Sequence, residues 1–271
     1  MLRKKLFLEG TYLPEHRLNR MQSEGDVASA RSGFLARRFR NLDYLLASRF
    51  GWMNGYIKEG GRVIEIGTGA GLSEFFLKQR PVLTDVVANP WIDAPLDALD
   101  MALPDGSVDC IIASHNIHHF ASPHRFFREC ERVLKPGGYL LVQEINTSLA
   151  ARALLRLMRH EGWSYRVDVF DERAVANDPS DPWSANCAVA ELLFEQTVRF
   201  EKTFPSLTIE LNRKCEFLIF SLSGGVISKT RVPELPHWLL QFAHALDKLL
   251  IRLFPDIFAM GRSVAIRKTE R

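Results

Sequence analysis

One seven-residue segment constrains this chain more than any other: Glu65-Ile-Gly67-Thr-Gly69-Ala-Gly71. Before it stands Arg62-Val-Ile-Glu-Ile66, short, apolar and rich in β-branched residues, which reads as a strand. After it, Leu72 to Gln79 reads as a helix. Glycines at such a junction let the backbone turn sharply and approach a ligand with no Cβ in the way. The helix that follows presents its free N-terminal N–H groups to the same place. Asp85 lies twenty residues after Glu65, at the end of the next expected strand, Val82 to Thr84. A carboxylate there is placed to accept both hydroxyls of a ribose, the nucleoside-reading arrangement of open α/β sheets.

The neighbouring sequence repeats the strand–helix alternation. Val108 to Ser114 is apolar on both faces, as a buried parallel strand should be. Pro123 to Leu134 places Phe126, Phe127, Cys130, Val133 and Leu134 at helical spacing, and Lys135-Pro-Gly-Gly138 reads as the turn that ends it. Tyr139 to Glu144 is a further strand. The expected fold class is therefore α/β, a Rossmann-like, mostly parallel sheet with helices on both faces. Upstream, residues 25–50 carry Phe34, Leu35, Phe39, Leu42, Leu45 and Leu46 at helical spacing, which predicts one amphipathic helix before the first strand. Downstream, Ala150 to His160 reads as a helix, and Leu207–Leu211 and Ser263–Lys268 as late strands. Asp178-Pro-Ser-Asp-Pro182 is a break, with Asp181 placed to cap a helix that has Pro182 at its first position. Glu216–Phe220, a Ser223-Gly-Gly225 turn and an apolar helix over Pro236–Phe254 make a C-terminal α/β insertion between the late strands.

Which nucleoside the glycine turn would take follows from its acid. A dinucleotide fingerprint, G-x-G-x-x-G, needs its last glycine where Leu72 stands. A pyrophosphate is also repelled by a carboxylate two residues before the first glycine. An amino-acid nucleoside with an ammonium and a sulfonium is attracted by it. The loop thus favours a cationic ligand over NAD, and an oxidoreductase reading is disfavoured by Leu72 and Glu65.

Composition excludes little but points the same way. The chain has 271 residues with a formal charge of +3, far from the basic footprint of a nucleic-acid binder. There is no interleaved aromatic-basic tract and no NPPY-type motif for a flipped base, so nucleic acid is not the expected partner. The apolar run Leu6-Phe7-Leu8 is too short for a signal-peptide core, and no uninterrupted stretch of about 18 apolar residues suggests a membrane span. Cys110, Cys130, Cys187 and Cys215 show no metal spacing, three of them read as small core residues, and a reducing cytoplasm is the expected compartment.

On EIGTGAG (Glu65–Gly71), Asp85, DALDMALPDGSVD (Asp97–Asp109), SHNIHHF (Ser114–Phe120) and RVLKPGG (Arg132–Gly138), the sequence resembles the class I S-adenosylmethionine-dependent methyltransferases, especially those acting on small molecules. The resemblance covers about residues 60–146. It implies S-adenosylmethionine as cofactor. Glu65, Gly67, Thr68, Gly69 and Gly71 would hold its methionine part and Asp85 its ribose. Asp97 and Ala98 would sit beside the adenine, and His115 would form the floor. Only eleven residues separate Asp85 from Asp97, so the helix and strand the family usually fits there must be short or missing. The resemblance divides the chain into an N-terminal helical segment or lid (1–59), a cofactor-binding core (60–149), and an acceptor-side insertion with the last sheet strands (150–271).

The expected activity is methyl transfer to a small-molecule, glycan or lipid-intermediate acceptor. In-line displacement from an activated donor asks mainly for alignment, and oxygen or nitrogen acceptors can also need a base. His119 and Glu144, at the ends of two strands, are the candidates, each with a capping or anchoring role as its alternative. His118 reads as a packing or capping residue. Trp183 and Asn186, in Asp181-Pro-Trp-Ser-Ala-Asn186, are the candidates for acceptor contact, and a capped helix start with a packed tryptophan is the other reading. No metal site is expected. The stripe Trp238, Leu239, Leu240, Phe242, Leu246, Leu249, Leu250, Leu253, Phe254 is expected to pack inward, with a lid, a dimer face or a peripheral membrane contact as alternatives. A catalytically silent protein that binds the cofactor for regulation or assembly is the competing function.

Overall fold

The structure, a computed structural model, describes residues 10–14, 26–159, 161–181, 184–227 and 230–270. Two short strands, β1 (Thr11–Tyr12) and β7 (Trp163–Ser164), pair with each other apart from the main sheet. That sheet is built from β2 (Val63–Ile66), β3 (Val82–Asp85), β4 (Ala94–Pro95), β5 (Val108–Ser114), β6 (Leu134–Ile145), β8 (Leu207–Cys215) and β9 (Gly261–Lys268). Their order is β4-β3-β2-β5-β6-β9-β8. The first five strands run parallel, and β9 runs antiparallel to both β6 and β8. The α/β, mostly parallel sheet expected from the sequence is what forms.

Side-chain alternation along the strands builds two cores, one on each face. Ile64, Ile66, Ile111, Ala113, Leu140, Val142, Val264 and Ile266 point to one side. They meet α3 (Pro123–Val133), α5 (Val189–Phe194) and α6 (Thr197–Thr203) there. Val63, Cys110, Ile112, Leu141 and Ala265 point to the other, against α1 (Val27–Ala36) and α2 (Arg40–Gly51). Cys110, Cys130 and Cys187 are buried, as small core residues should be, and no cysteine is in a disulfide.

Local chemistry sets the element ends. Ser122 accepts from Arg125 N at 3.3 Å, and Pro123 occupies the first turn of α3, the position where its missing N–H costs nothing. The next four apolar residues of α3, Phe126, Phe127, Cys130 and Val133, are completely buried. The remaining helices are α4 (Leu149–Met158), α7 (Leu218–Ser223), α8 (His237–Leu253) and α9 (Pro255–Phe258). No helix of the described residues is long and apolar enough to cross a membrane.

Five expectations need correction. The helix foreseen over 25–50 is two, broken at 37–39. α1 reaches the glycine turn, where Arg31 donates to the carbonyls of Ala70 and Gly71 at 3.0 Å, while α2 packs on the sheet; one straight helix cannot do both. The helix foreseen over 72–79 is one 3₁₀ turn, Leu72–Phe75. Asn54 takes over its backbone groups, donating to Phe76 O at 3.1 Å and accepting from Lys78 N at 2.8 Å. Lys135-Pro-Gly-Gly138 is no free turn. It bulges out of β6 between Leu134, paired with Val108, and Tyr139, paired with Cys110, and Gly137 supplies the positive φ. The capped helix foreseen at Asp181 does not start there: Ser184 to Ala188 are not helical, and α5 begins at Val189. Of the apolar stripe of α8 only Leu240 is buried; the inward face is made by Leu240, Ala243, Asp247 and Ile251, whereas Trp238 (67%) and Phe242 (63%) stand exposed. An acid, Asp247, takes an inward place because its carboxylate accepts the N–H groups of Phe217, Leu218 and Ile219 at the start of α7. The short link between Asp85 and Asp97, by contrast, holds the two-residue β4 and no helix, as the spacing required.

Phe127 packs against Phe126, Phe200 and Phe204 with ring centroids 5.0, 4.9 and 5.2 Å apart. Phe127→Ala is expected to lower unfolding stability by about 3–5 kcal/mol, read from the urea midpoint at constant m value.

Candidate functional site

Strands β2, β5 and β6 end on the same edge of the sheet, where open α/β folds hold their ligands. Below that edge lies a cavity of about 520 Å³. Its walls come from the glycine turn after β2, the histidines after β5, α4, and the segment after α7.

In the glycine turn, Gly67, Gly69 and Gly71 have φ of +54°, +57° and +65°, a left-handed region that side chains rarely enter. A Cβ at Gly67 would stand 2.9 Å from Asn116 Nδ2, and one at Gly71 2.8 Å from Trp91 Cδ1. Trp91 Nε1 donates to Gly69 O at 2.8 Å, and Arg31 pairs with Glu74 as well as with the turn carbonyls. Glu65 is buried and accepts from the Ser73 hydroxyl. Burial pushes its carboxyl up to about 7, against the pull of hydrogen bonds from Ser73 and Thr68. Asp85 accepts from Gly69 N at 2.8 Å and from Val87 N at 3.0 Å, one on each oxygen.

On the β5 side, His115 sits at φ +52° with its N–H on Gln143 O at 2.7 Å. Its ring lines the cavity, and Nε2 is buried without a hydrogen-bond partner among the described residues. Burial, helped by the charge of Arg49, pushes its imidazole down to about 3, so the ring is neutral. Asn116 donates to Ile66 O and leaves a buried Oδ1 without a partner among the described residues.

His118 and Glu144 form a buried pair, Nδ1 to Oε1 at 2.5 Å. Burial opposes charge on both, but their mutual attraction wins: the imidazole is held well above its usual range and the carboxyl well below. The other face of His118 meets Glu161, Nε2 to Oε2 at 3.5 Å. His119 turns Nδ1 to Ser184 O at 3.1 Å and Nε2 toward Glu161 Oε1 at 3.6 Å. A carbonyl can only accept, so Nδ1 carries the proton. Burial and the neighbouring His118 keep this second ring in its neutral form.

Of the residues singled out from sequence, Glu65, Gly67, Thr68, Gly69, Gly71, His115 and His119 all line the one cavity. Asp85 touches the turn from outside through Gly69. Asp97 and Ala98 do not line the cavity; Asp97 caps its own turn through Leu99 N at 2.8 Å, and Ala98 packs into the core. Glu144 is fully buried behind His118 and accepts from the N–H groups of Ile117 and Ile145 at 2.9 and 2.8 Å. It anchors the turn after β5 and is not among the residues that line the cavity. Asn186 clamps β7, accepting from Ser164 N at 2.8 Å and donating to Ser164 O at 3.1 Å, and it too lies off the cavity. Trp183 lies outside the described residues.

Sequence reasoning missed Arg31, Ser73, Trp91 and Glu161. None carries a local signature, since each reaches the site from a different element. It also missed Arg49, whose guanidinium lies beside Glu216 with Nε 3.0 Å from Oε1 and Nη2 2.7 Å from Oε2, both side chains 4% exposed. Arg49 lines the cavity and ties α2 to the end of β8. Arg49→Met leaves the buried Glu216 carboxylate without its cation, with the Gln143 Nε2 donor at 2.8 Å still in place, and is expected to cost about 3 kcal/mol. A double variant with Glu216→Gln should recover part of that loss, and a double-mutant cycle in urea measures it.

Residues 64–142 match the family model of a methyltransferase domain. Over 137 residues the chain is 26% identical to the ubiquinone biosynthesis O-methyltransferase of Paracidovorax citrulli, covering 43% of this chain and 58% of that one. Over 93 residues it is 31% identical to the highly reducing polyketide synthase ctvA of Aspergillus terreus, covering 34% of this chain and 4% of that one. The matches thus span less than two thirds of these relatives' length. Among solved structures, a SAM dependent methyltransferase from Archaeoglobus fulgidus superposes with a TM-score of 0.50 at 17% identity, over 88% of this chain and 99% of that chain, a likeness of fold.

Proposed function

We propose that this protein, whose residues 64–142 match the family model of a methyltransferase domain, is a class I S-adenosylmethionine-dependent methyltransferase that binds S-adenosylmethionine in the cavity and methylates a small-molecule acceptor. The observation that carries the reading is Glu65, an acid buried at the cavity edge and followed by three left-handed glycines. Such an acid is costly unless a cation meets it. The buried, unpartnered Nε2 of His115 and Oδ1 of Asn116 add polar atoms that a ligand in this place would satisfy.

In this reading Glu65 and the backbone of Gly67, Thr68, Gly69 and Gly71 hold the amino-acid part of the cofactor. Asp85, whose oxygens each keep a lone pair beyond the amides they accept, takes the ribose. Asp97 and Ala98 stand one strand further along, at the base end, and neutral His115 forms the floor. The cofactor supplies an activated methyl group. The chain's own work is to align, to exclude water and to hold the acceptor.

The acceptor wall supports a molecule with an apolar body. Leu154, Leu155, Met158, Phe220, Val226 and Ile227 line it, with His118, His119 and Glu161 as its polar end. This favours a lipid-like intermediate over a glycan. It also agrees with the O-methyltransferase named among the relatives. His119 is the acceptor-side group, its Nε2 turned to the Glu161 carboxylate at 3.6 Å; Asn186, which clamps β7, is no part of that wall.

Two measurements test the reading. Calorimetry with S-adenosylhomocysteine should show association that strengthens about tenfold per unit of pH up to about 7 and then levels, because the ligand's ammonium needs Glu65 ionised and the free carboxyl titrates there. Glu65→Gln should bind about 10–100-fold more weakly, with that pH dependence gone. Absence of any heat with folded protein overturns the assignment. Labelled S-adenosylmethionine in cell extract should then pass its methyl to an organic-soluble product. Binding with no transfer would favour the silent regulator instead.

A further inference from the structure

We propose that His118, His119 and Glu161 bind one divalent transition-metal ion of the zinc type in the cavity wall. One ligand atom from each lies within 4.8 Å of the other two. The Nε2 atoms of the two histidines stand 3.5 and 3.6 Å from the two oxygens of Glu161. Those separations are longer than well-formed hydrogen bonds, which run about 2.7–3.2 Å. They lie near the edge of a tetrahedron with bonds of about 2.05 Å, which is about 3.3–3.4 Å.

The outer nitrogens carry the second argument. A metal-binding histidine typically donates its other N–H to a carboxylate or a backbone carbonyl, which fixes the ring and the tautomer. Here Nδ1 of His118 meets Glu144 at 2.5 Å, and Nδ1 of His119 meets Ser184 O at 3.1 Å. Both rings therefore turn Nε2 toward the same carboxylate. The Cys187 thiol, donating to Glu161 Oε2 at 3.3 Å, orients that carboxylate in turn. The two histidines are neighbours in a single 3₁₀ turn, Ile117–His119, whose first amide is itself held by Glu144.

Charge points the same way. Two carboxylates, Glu144 and Glu161, flank His118 in a place where its side chain is 3% exposed. A dication taking the place of the His118 Nε2 proton, between imidazoles that are then neutral, balances both carboxylates. Two histidines and one carboxylate leave at least one position open, as sites that act on a ligand do. All three side chains line the cavity, so that position faces it. There the ion would hold an acceptor oxygen and lower its pKa, the proton leaving to solvent. Only this use of the open position rests on the methyl-transfer reading; the ion itself does not.

The test uses the full chain, stripped with a chelator and dialysed against Zn²⁺ or Co²⁺. One equivalent per chain is expected by atomic absorption, with the intense visible bands of four-coordinate Co²⁺. His119→Ala and Glu161→Gln, both of which leave the His118–Glu144 pair in place, should bind roughly 100-fold more weakly or worse, with circular dichroism unchanged. No uptake by folded wild-type protein, or equal uptake by both variants, overturns the site. Calorimetry with S-adenosylhomocysteine on the metal-free protein separates the two readings. Cofactor binding without metal uptake removes the ion alone, and metal uptake without cofactor binding removes the methyltransferase reading alone.

Discussion

Glu144 is the interaction on which the site's geometry depends. Its carboxylate is completely buried and accepts from the amides of Ile117, His118 and Ile145 and from the His118 ring. A buried carboxylate left unpaired costs far more than a paired one, so these contacts hold as a set. Together they bind the end of β6 to the turn that follows β5. Asn116, in that same turn, donates to Ile66 O and so draws in the end of β2. Three parallel strands are thereby fixed to one another at the edge where the cavity opens, and His115, His118 and His119 take their places from it.

The sheet beneath is a simpler matter of alternation. Neighbouring residues in β5, such as Ile111 and Ile112, enter opposite cores, and neither face is left to solvent. This is why the central elements were legible. Apolar runs of β-branched residues read as buried parallel strands, and Pro123 with the spacing of Phe126, Phe127, Cys130 and Val133 reads as α3. The glycine turn was legible for the opposite reason: it breaks the pattern at the point where the chain must enter left-handed backbone.

What escaped notice was decided between distant segments. Arg31 divides the N-terminal helix by pulling α1 to the glycine turn, forty residues away. Asn54 ends the one-turn helix after that loop by occupying its backbone groups. Asp247 occupies an inward position in an apolar helix because three amides of another helix await it. Glu144 looked like a reactive acid from its place at a strand end, and only its surroundings reveal that every oxygen is engaged. Residue spacing reports on one element at a time, and each of these features belongs to a pair.

The cavity divides along the same line. Its charged and glycine-built side comes from the ends of β2 and β5, where the family's pattern is readable. Its apolar side comes from α4 and the stretch following α7, the part of the chain where periodicity loosens and no motif stands out. An acceptor is distinguished by the shape and polarity of the wall it touches, and a hydrophobic wall discriminates by volume, at about 1–3 kcal/mol per methylene. In the proposed reading the residues that would choose the acceptor are ordinary leucines, methionines and a phenylalanine outside the sheet. Among the described residues lining that half, Glu161 is the charged one. It stands just past α4 and brings a carboxylate against the two histidines of the turn after β5. In this way Glu161 links the α4 side of the cavity to the turn that follows β5.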